Sequence, residues 1–201
     1  MLHSEKRVRI VALINEGAQP RTILGQATIG PADKDYERRL RLWAADCAAR
    51  AIHLVSLSDY TKAEHAVAVA RSYARGMMND GHLKAFACDQ HYEHGKQVFY
   101  CASEAYYAAI LCAQQDVYTA AMSASHYARN AIHNTLLRDN RQNVAQCWDD
   151  ELMWQVERLR AWFGDSEPTD WPMHPGKTNR RPARQQRYVE QNPYTGFAEG
   201  A

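Results

Sequence analysis

Between Ala32 and Glu167 the chain contains no proline, although seven occur elsewhere, at Pro20, Pro31, Pro168, Pro172, Pro175, Pro182 and Pro193. Proline costs about 3 kcal/mol inside a helix, and alanine is the best helix former. The chain has 31 alanines, most of them in this same stretch, and only four glycines fall there: Gly76, Gly81, Gly95 and Gly164. Glycines so sparsely placed mark helix ends. There is no sustained alternation of β-branched residues, and Asp80-Gly81 lies between helical patterns instead of between strands. The expected fold is all-α: a single helical bundle of six to eight mostly antiparallel helices over residues 31–164. An N-terminal helix and connector precede it at 1–30, and a Pro/Arg-rich tail, extended or docked, follows at 165–201.

Cap residues and periodicity place the elements. A first helix is expected from Glu5 to Asn15, capped by Ser4 and stopped near Gly17, and a short one from Pro20 to Gly25. A long helix opens after Pro31 with Asp33, Asp35 and Glu37 at its positive end. It carries Tyr36, Leu40, Trp43, Cys47, Ala51 and Leu54 at spacings of three and four. Ser58 or Asp59 caps the next helix, which ends at Gly76. Asp80 caps a short helix over about His82 to Glu93, ended by Gly95. The segments Val98–Ala113 and Asp116–Leu137 are apolar on most sides, so either is expected to be the buried centre. Asn143 begins a last amphipathic helix through Leu152, Trp154, Leu159 and Trp162 to Gly164.

Composition narrows the function. The chain is 46% hydrophobic and 23% charged, as globular domains are. Its 24 basic and 23 acidic residues leave a net charge of +1, which removes a whole-chain electrostatic case for nucleic acid. No apolar run reaches the length of a membrane span, and the first residues lack a signal-peptide core. The five cysteines form no CxxC pair, so they are read as reduced thiols of a cytoplasmic protein.

Motifs for chemistry are sparse. Cys88, His91 and His94 are spaced to share one helix face and could supply zinc ligands, but no second pair completes a four-ligand site. The alternative is a polar helix surface. Glu-x-x-His, HExxH, GxSxG, a Walker loop and GxGxxG do not occur. Cys47, Cys88, Cys101 and Cys112 lie among Ala and Tyr, where cysteine behaves as a small hydrophobe. No catalytic residue, metal or cofactor is therefore assigned, and the chain is expected to be non-enzymatic. Phe99, Tyr100, Tyr106, Tyr107, Tyr118 and Tyr127 fit a bundle core or, alternatively, a partner groove. Lys177, Arg180, Arg181, Arg184 and Arg187 form a basic run with no acid from Trp171 to Val189. Residues 31–170 hold 15 basic and 19 acidic residues. The run could contact nucleic-acid phosphates, or pair with bundle acids such as Asp149, Asp150 and Glu151.

Four segments, Trp43-Ala44-Ala45-Asp46-Cys47-Ala48, Ala70-Arg71-Ser72-Tyr73-Ala74-Arg75-Gly76, Lys84 to His91 and the alanine-rich Ala108 to Ala131, resemble the immunity proteins of bacterial polymorphic-toxin systems, in the immunity-protein-five-like family. Thr119-Ala120 and the Trp154-Gln155 to Trp162 stretch fit its later part, so the resemblance spans about Thr28 to Trp162. Tyr73 stands where the family has Trp, and Ala121 where it has His, with His126 nearby. The resemblance implies a protein that binds and blocks a toxin. Trp43, Arg71, Arg75, His91 and His126 are then the candidate partner contacts. Arg71 and Arg75 lie four apart and could grip a partner's carboxylate, or pair with Glu64, Glu93 or another acid of the same bundle. A phage or mobile-element inhibitor of a host defence nuclease, working by anti-CRISPR-like occlusion, would look the same. A nucleic-acid-associated bundle using the basic tail is the other alternative. Either a monomer or a homodimer is compatible with these segments.

Overall fold

A computed structural model of the chain describes residues 2–27, 33–89, 100–138, 144–164 and 168. Among them run eight α-helices: α1 (Leu2–Asn15), α2 (Pro20–Ala27), α3 (Lys34–Ala51), α4 (Tyr60–Ala74), α5 (Asp80–Asp89), α6 (Tyr100–Leu111), α7 (Val117–Arg138) and α8 (Val144–Phe163). A 3-10 turn, Ile52–Leu54, prolongs α3, and no strand occurs among the described residues. No helix is long and apolar enough to cross a membrane. The basic run Lys177–Arg187, Pro31, Gly95 and Asn143 lie outside the described residues.

The ends of the helices follow local chemistry. Asp33 caps α3, its carboxylate accepting the N–H groups of Asp35 at 3.0 Å and Tyr36 at 3.2 Å. Asp116 caps α7 through the Thr119 N–H at 2.7 Å. Gly17 and Gly76 close α1 and α4 at φ of 75° and 72°, a left-handed conformation that disfavours any side chain. At Gly76 the Met77 N–H reaches back to the Ser72 carbonyl and the Gly76 N–H to that of Tyr73, both at 2.9 Å, which satisfies two orphan acceptors of α4.

Three expected caps differ. Helix α1 begins at Leu2, so Ser4 lies within it; none of the three residues before Ser4 is a helix breaker. Asn79, not Asp80, caps α5, accepting the His82 N–H at 3.1 Å. The turn through Gly76 is short enough to put Asp80 inside the helix, where its carboxylate takes the Tyr73 hydroxyl at 2.5 Å. Asp59 precedes α4 and its carbonyl accepts the Ala63 N–H at 3.0 Å, but its carboxylate caps no helix N–H and takes the hydroxyls of Ser56 and Ser58.

The buried centre is α3 and not, as expected, α6 or α7. Helices α1, α4, α6, α7 and α8 all pack against it. Its residues from Leu40 to Ala49 are buried without a break. Being enclosed on every side, α3 carries even its charged Arg41 and Asp46 into the core. Helices α6 and α7 pack against each other, and Ala105, Ala108, Ala109, Ala120, Ala124 and Ala128 along them are all fully buried. Trp43, Trp162 and Phe163 supply the largest core volumes. Each such side chain contributes about 1.5–3 kcal/mol by leaving water.

Candidate functional site

Asp46 sits among Ala44, Ala45, Cys47 and Ala48, and no part of it is exposed. An ionised carboxylate in such surroundings costs several kcal/mol unless it is paired. Three donors compensate it. Its Oδ2 accepts the Arg158 Nε–H at 2.7 Å and the Trp162 indole N–H at 2.8 Å, and its Oδ1 accepts an Arg71 Nη2–H at 3.1 Å. Arg158 and Trp162 stand one turn apart on α8, so a single helix face delivers both.

The same face of α8 carries a second buried acid. Glu151 accepts Arg50 Nε–H at 2.6 Å and the Gln155 amide at 3.2 Å. Burial pushes the Glu151 carboxyl above its ordinary value, and Arg50, Gln155 and Arg129 oppose that rise. Gln155 also donates to the Ser125 carbonyl at 3.0 Å, and its own carbonyl accepts the Trp43 indole N–H at 2.9 Å. The Arg50 guanidinium lies 4.3 Å from the Trp154 ring centre, at the edge of the bundle. Arg41 takes a third route, donating to the carbonyls of Gln114 at 2.6 Å and Gln115 at 2.9 Å. It thereby fixes the turn between α6 and α7, with Tyr73 5.0 Å away over its guanidinium.

Two thiols, those of Cys47 and Cys112, are placed to stay protonated. Burial drives the Cys47 thiol well above its ordinary value, and the charges of Glu151 and Asp46 add to the rise. Burial pushes Cys112 up to about 12, and its thiol donates to the Ala109 carbonyl at 3.0 Å. A thiol held protonated near neutral pH is a poor nucleophile. Among the described residues no three His, Cys, Asp or Glu side chains are arranged to hold a metal ion.

Two features lie on the surface. The turn between α4 and α5 forms an open depression of about 460 Å³ lined by Gly76, Met77, Met78, Asn79 and His82. The outer face of α7 carries His126, Arg129, Asn130 and His133, with Glu104 of α6 bonded to Asn130 on one side and Trp148 of α8 on the other.

The candidate partner contacts do not form one patch. Trp43 is fully buried and bonded to α8, so its expected role at a partner surface is corrected to a core role: the enclosure of α3 leaves it no outward face. Arg71 pairs within the bundle, with Asp46 as the acid. Glu151, expected as a possible mate for the basic tail, is likewise buried against Arg50, while Asp149 and Asp150 are exposed. Arg75 and His126 are exposed, the first just after α4 and the second on α7. His91 and His94 lie outside the described residues, as does the Cys88 side chain. Of the aromatic cluster, Tyr106 is buried, Tyr107 and Tyr127 pack at 5.5 Å, and Phe99 is outside the described residues.

Asp46, Arg158 and Arg129 were not singled out from the sequence, and Glu151 was named only as a possible mate for the basic tail. The one available signal was Asp46 itself, a lone charge within an otherwise small and apolar stretch. Compared with family models, with curated proteins and with solved structures, the chain matches none.

Proposed function

We propose that the protein is a non-enzymatic helical binding protein of the cytoplasm, an immunity-type inhibitor that occludes a toxin protein. The observation that carries this reading is the convergence on Asp46. Three of the segments on which the resemblance rests supply its members: Trp43–Ala48 gives Asp46, Ala70–Gly76 gives Arg71, and Trp154–Trp162 gives Arg158 and Trp162. A resemblance confined to cheap alanine matches would not select residues that meet at one buried carboxylate. The network also suits an inhibitor physically. It locks α3, α4 and α8 together, and a rigid surface loses little conformational entropy when it binds. Exposed Arg75 and His126 remain as candidate contacts on that surface. An inhibitor of a host defence nuclease would work by the same occlusion and differs in the identity of its target.

Affinity capture with the full chain tests the reading. One protein partner is expected, in a fixed stoichiometry by light scattering, and retained at high salt. Recovery of nucleic acid instead, falling steeply with salt, would favour the nucleic-acid-associated alternative.

A further inference from the structure

Six arginines of the bundle, Arg7, Arg39, Arg41, Arg50, Arg71 and Arg158, each give an N–H to a carbonyl or carboxylate. Arg129 does not. It is half-buried on α7, its Nε is shut off from solvent without a partner, and none of its donors meets an acceptor among the described residues. The Trp148 ring, 4.4 Å from its guanidinium carbon, supports one side of it. A guanidinium carries five donors and no acceptor, so an Nε–H shut off from solvent without a partner calls for an explanation.

The neighbours of Arg129 supply one. His126, one turn earlier and exposed, has its Nε2 3.1 Å from the Asn130 amide nitrogen. That nitrogen can only donate, so the ring proton sits on Nδ1, as a further donor near the surface. Arg21 is exposed on α2, which packs against α7, and burial first, then the charges of Arg129 and Arg21, lower the His126 pKa. Burial by itself opposes any charge there, but the positive field of Arg129 and Arg21 favours an anion. Other charges face the group too. Glu104 of α6 is tied to Asn130, and Glu151 of α8 is already engaged by Arg50.

We propose that Arg129, His126 and Arg21 form an oxyanion-binding site on the outer face of α7, taking a carboxylate or a phosphate group. The planar guanidinium fork matches either. A carboxylate would come from an acidic side chain of a protein partner, and that source rests on the inhibitor reading; a phosphate would come from a small phosphorylated molecule and does not.

Ring resonances of His126 in the intact chain test the site. Separate titrations with sodium acetate, inorganic phosphate and sodium chloride are run at fixed pH and total ionic strength. Saturable shifts with acetate or phosphate, but not with chloride, are expected. The His126 pKa rises in the saturated state, because the bound anion offsets Arg21 and Arg129. Acetate binding the tighter assigns a carboxylate source, and phosphate the tighter assigns a phosphate source. Arg129→Gln is expected to weaken binding at least about tenfold, as loss of a charge-assisted bidentate contact would. Arg21→Gln, at an exposed position that cannot disturb the core, weakens it less. Shifts that stay linear, that chloride reproduces, or that survive both substitutions overturn the site. Because the probes are simple anions, this result is independent of whether a protein partner is captured.

Discussion

Arg158 on α8 donates from Nε to the Oδ2 of Asp46 on α3 at 2.7 Å, joining two residues 112 apart in sequence at a place where the carboxylate has no exposure to solvent. Asp46→Ala would leave Arg158 and the Trp162 indole N–H facing an apolar gap. Breaking one side of a buried ion pair costs about 3–5 kcal/mol. Urea denaturation should show that loss for Asp46→Ala. The double replacement Asp46→Leu with Arg158→Met should lose less than the two single changes added together, since neither charge is then stranded.

Arg41→Met removes the donors that hold the Gln114 and Gln115 carbonyls. The expected destabilisation is about 1–3 kcal/mol, the cost of leaving such groups without their partner. The effect is local to the α6–α7 turn. Hydrogen exchange should accelerate at the amides of Cys112, Ala113 and Gln114 before it does so in α3.

Gly76→Ala tests the turn that ends α4. Nothing lies within 4 Å of where the new methyl would sit, so the cost is one of backbone conformation at φ of 72°. It should be about 1–2 kcal/mol by thermal or chemical unfolding. Gly76→Asn should cost less, because asparagine tolerates the left-handed region better.

How much of this was legible from the sequence differs from residue to residue. Gly17, Gly76 and Asp116 act through their nearest neighbours, and the sequence places them correctly. Asn79 and Asp80 are both cap residues side by side; which one caps depends on the length of the turn after Gly76, and sequence spacing does not give that. Trp43 reads as a helix-face residue, but only the packing of five helices around α3 shows that the stretch from Leu40 to Ala49 has no outer face. The partners of Asp46 lie 25, 112 and 116 residues away, so no local pattern announces them. Arg129 stands out only beside Arg41, Arg50 and Arg158, whose acceptors come from distant parts of the chain.

Glu151 gives a pH dependence with a definite sign. Burial raises its carboxyl above the ordinary value, with Arg50, Gln155 and Arg129 pulling the other way. An acid whose folded pKa exceeds its unfolded pKa contributes stability that is present in full below the unfolded value. That contribution is withdrawn as pH rises through the folded value. The stability of the native chain minus that of Glu151→Gln should therefore fall as pH rises from the unfolded carboxyl range near 4.5 through the raised folded value. A difference that grows with pH would mean that the Arg50 pair outweighs burial.

The central claim is that this bundle uses its buried ions to hold its shape and its exterior to block another protein. The most direct measurement is growth of cells that express the captured partner, with and without this chain. The account predicts that the partner alone arrests growth and that co-expression of the intact chain restores it, with the two proteins purifying as one complex. A captured partner that forms the complex yet is harmless alone, or remains just as toxic in it, would contradict the account.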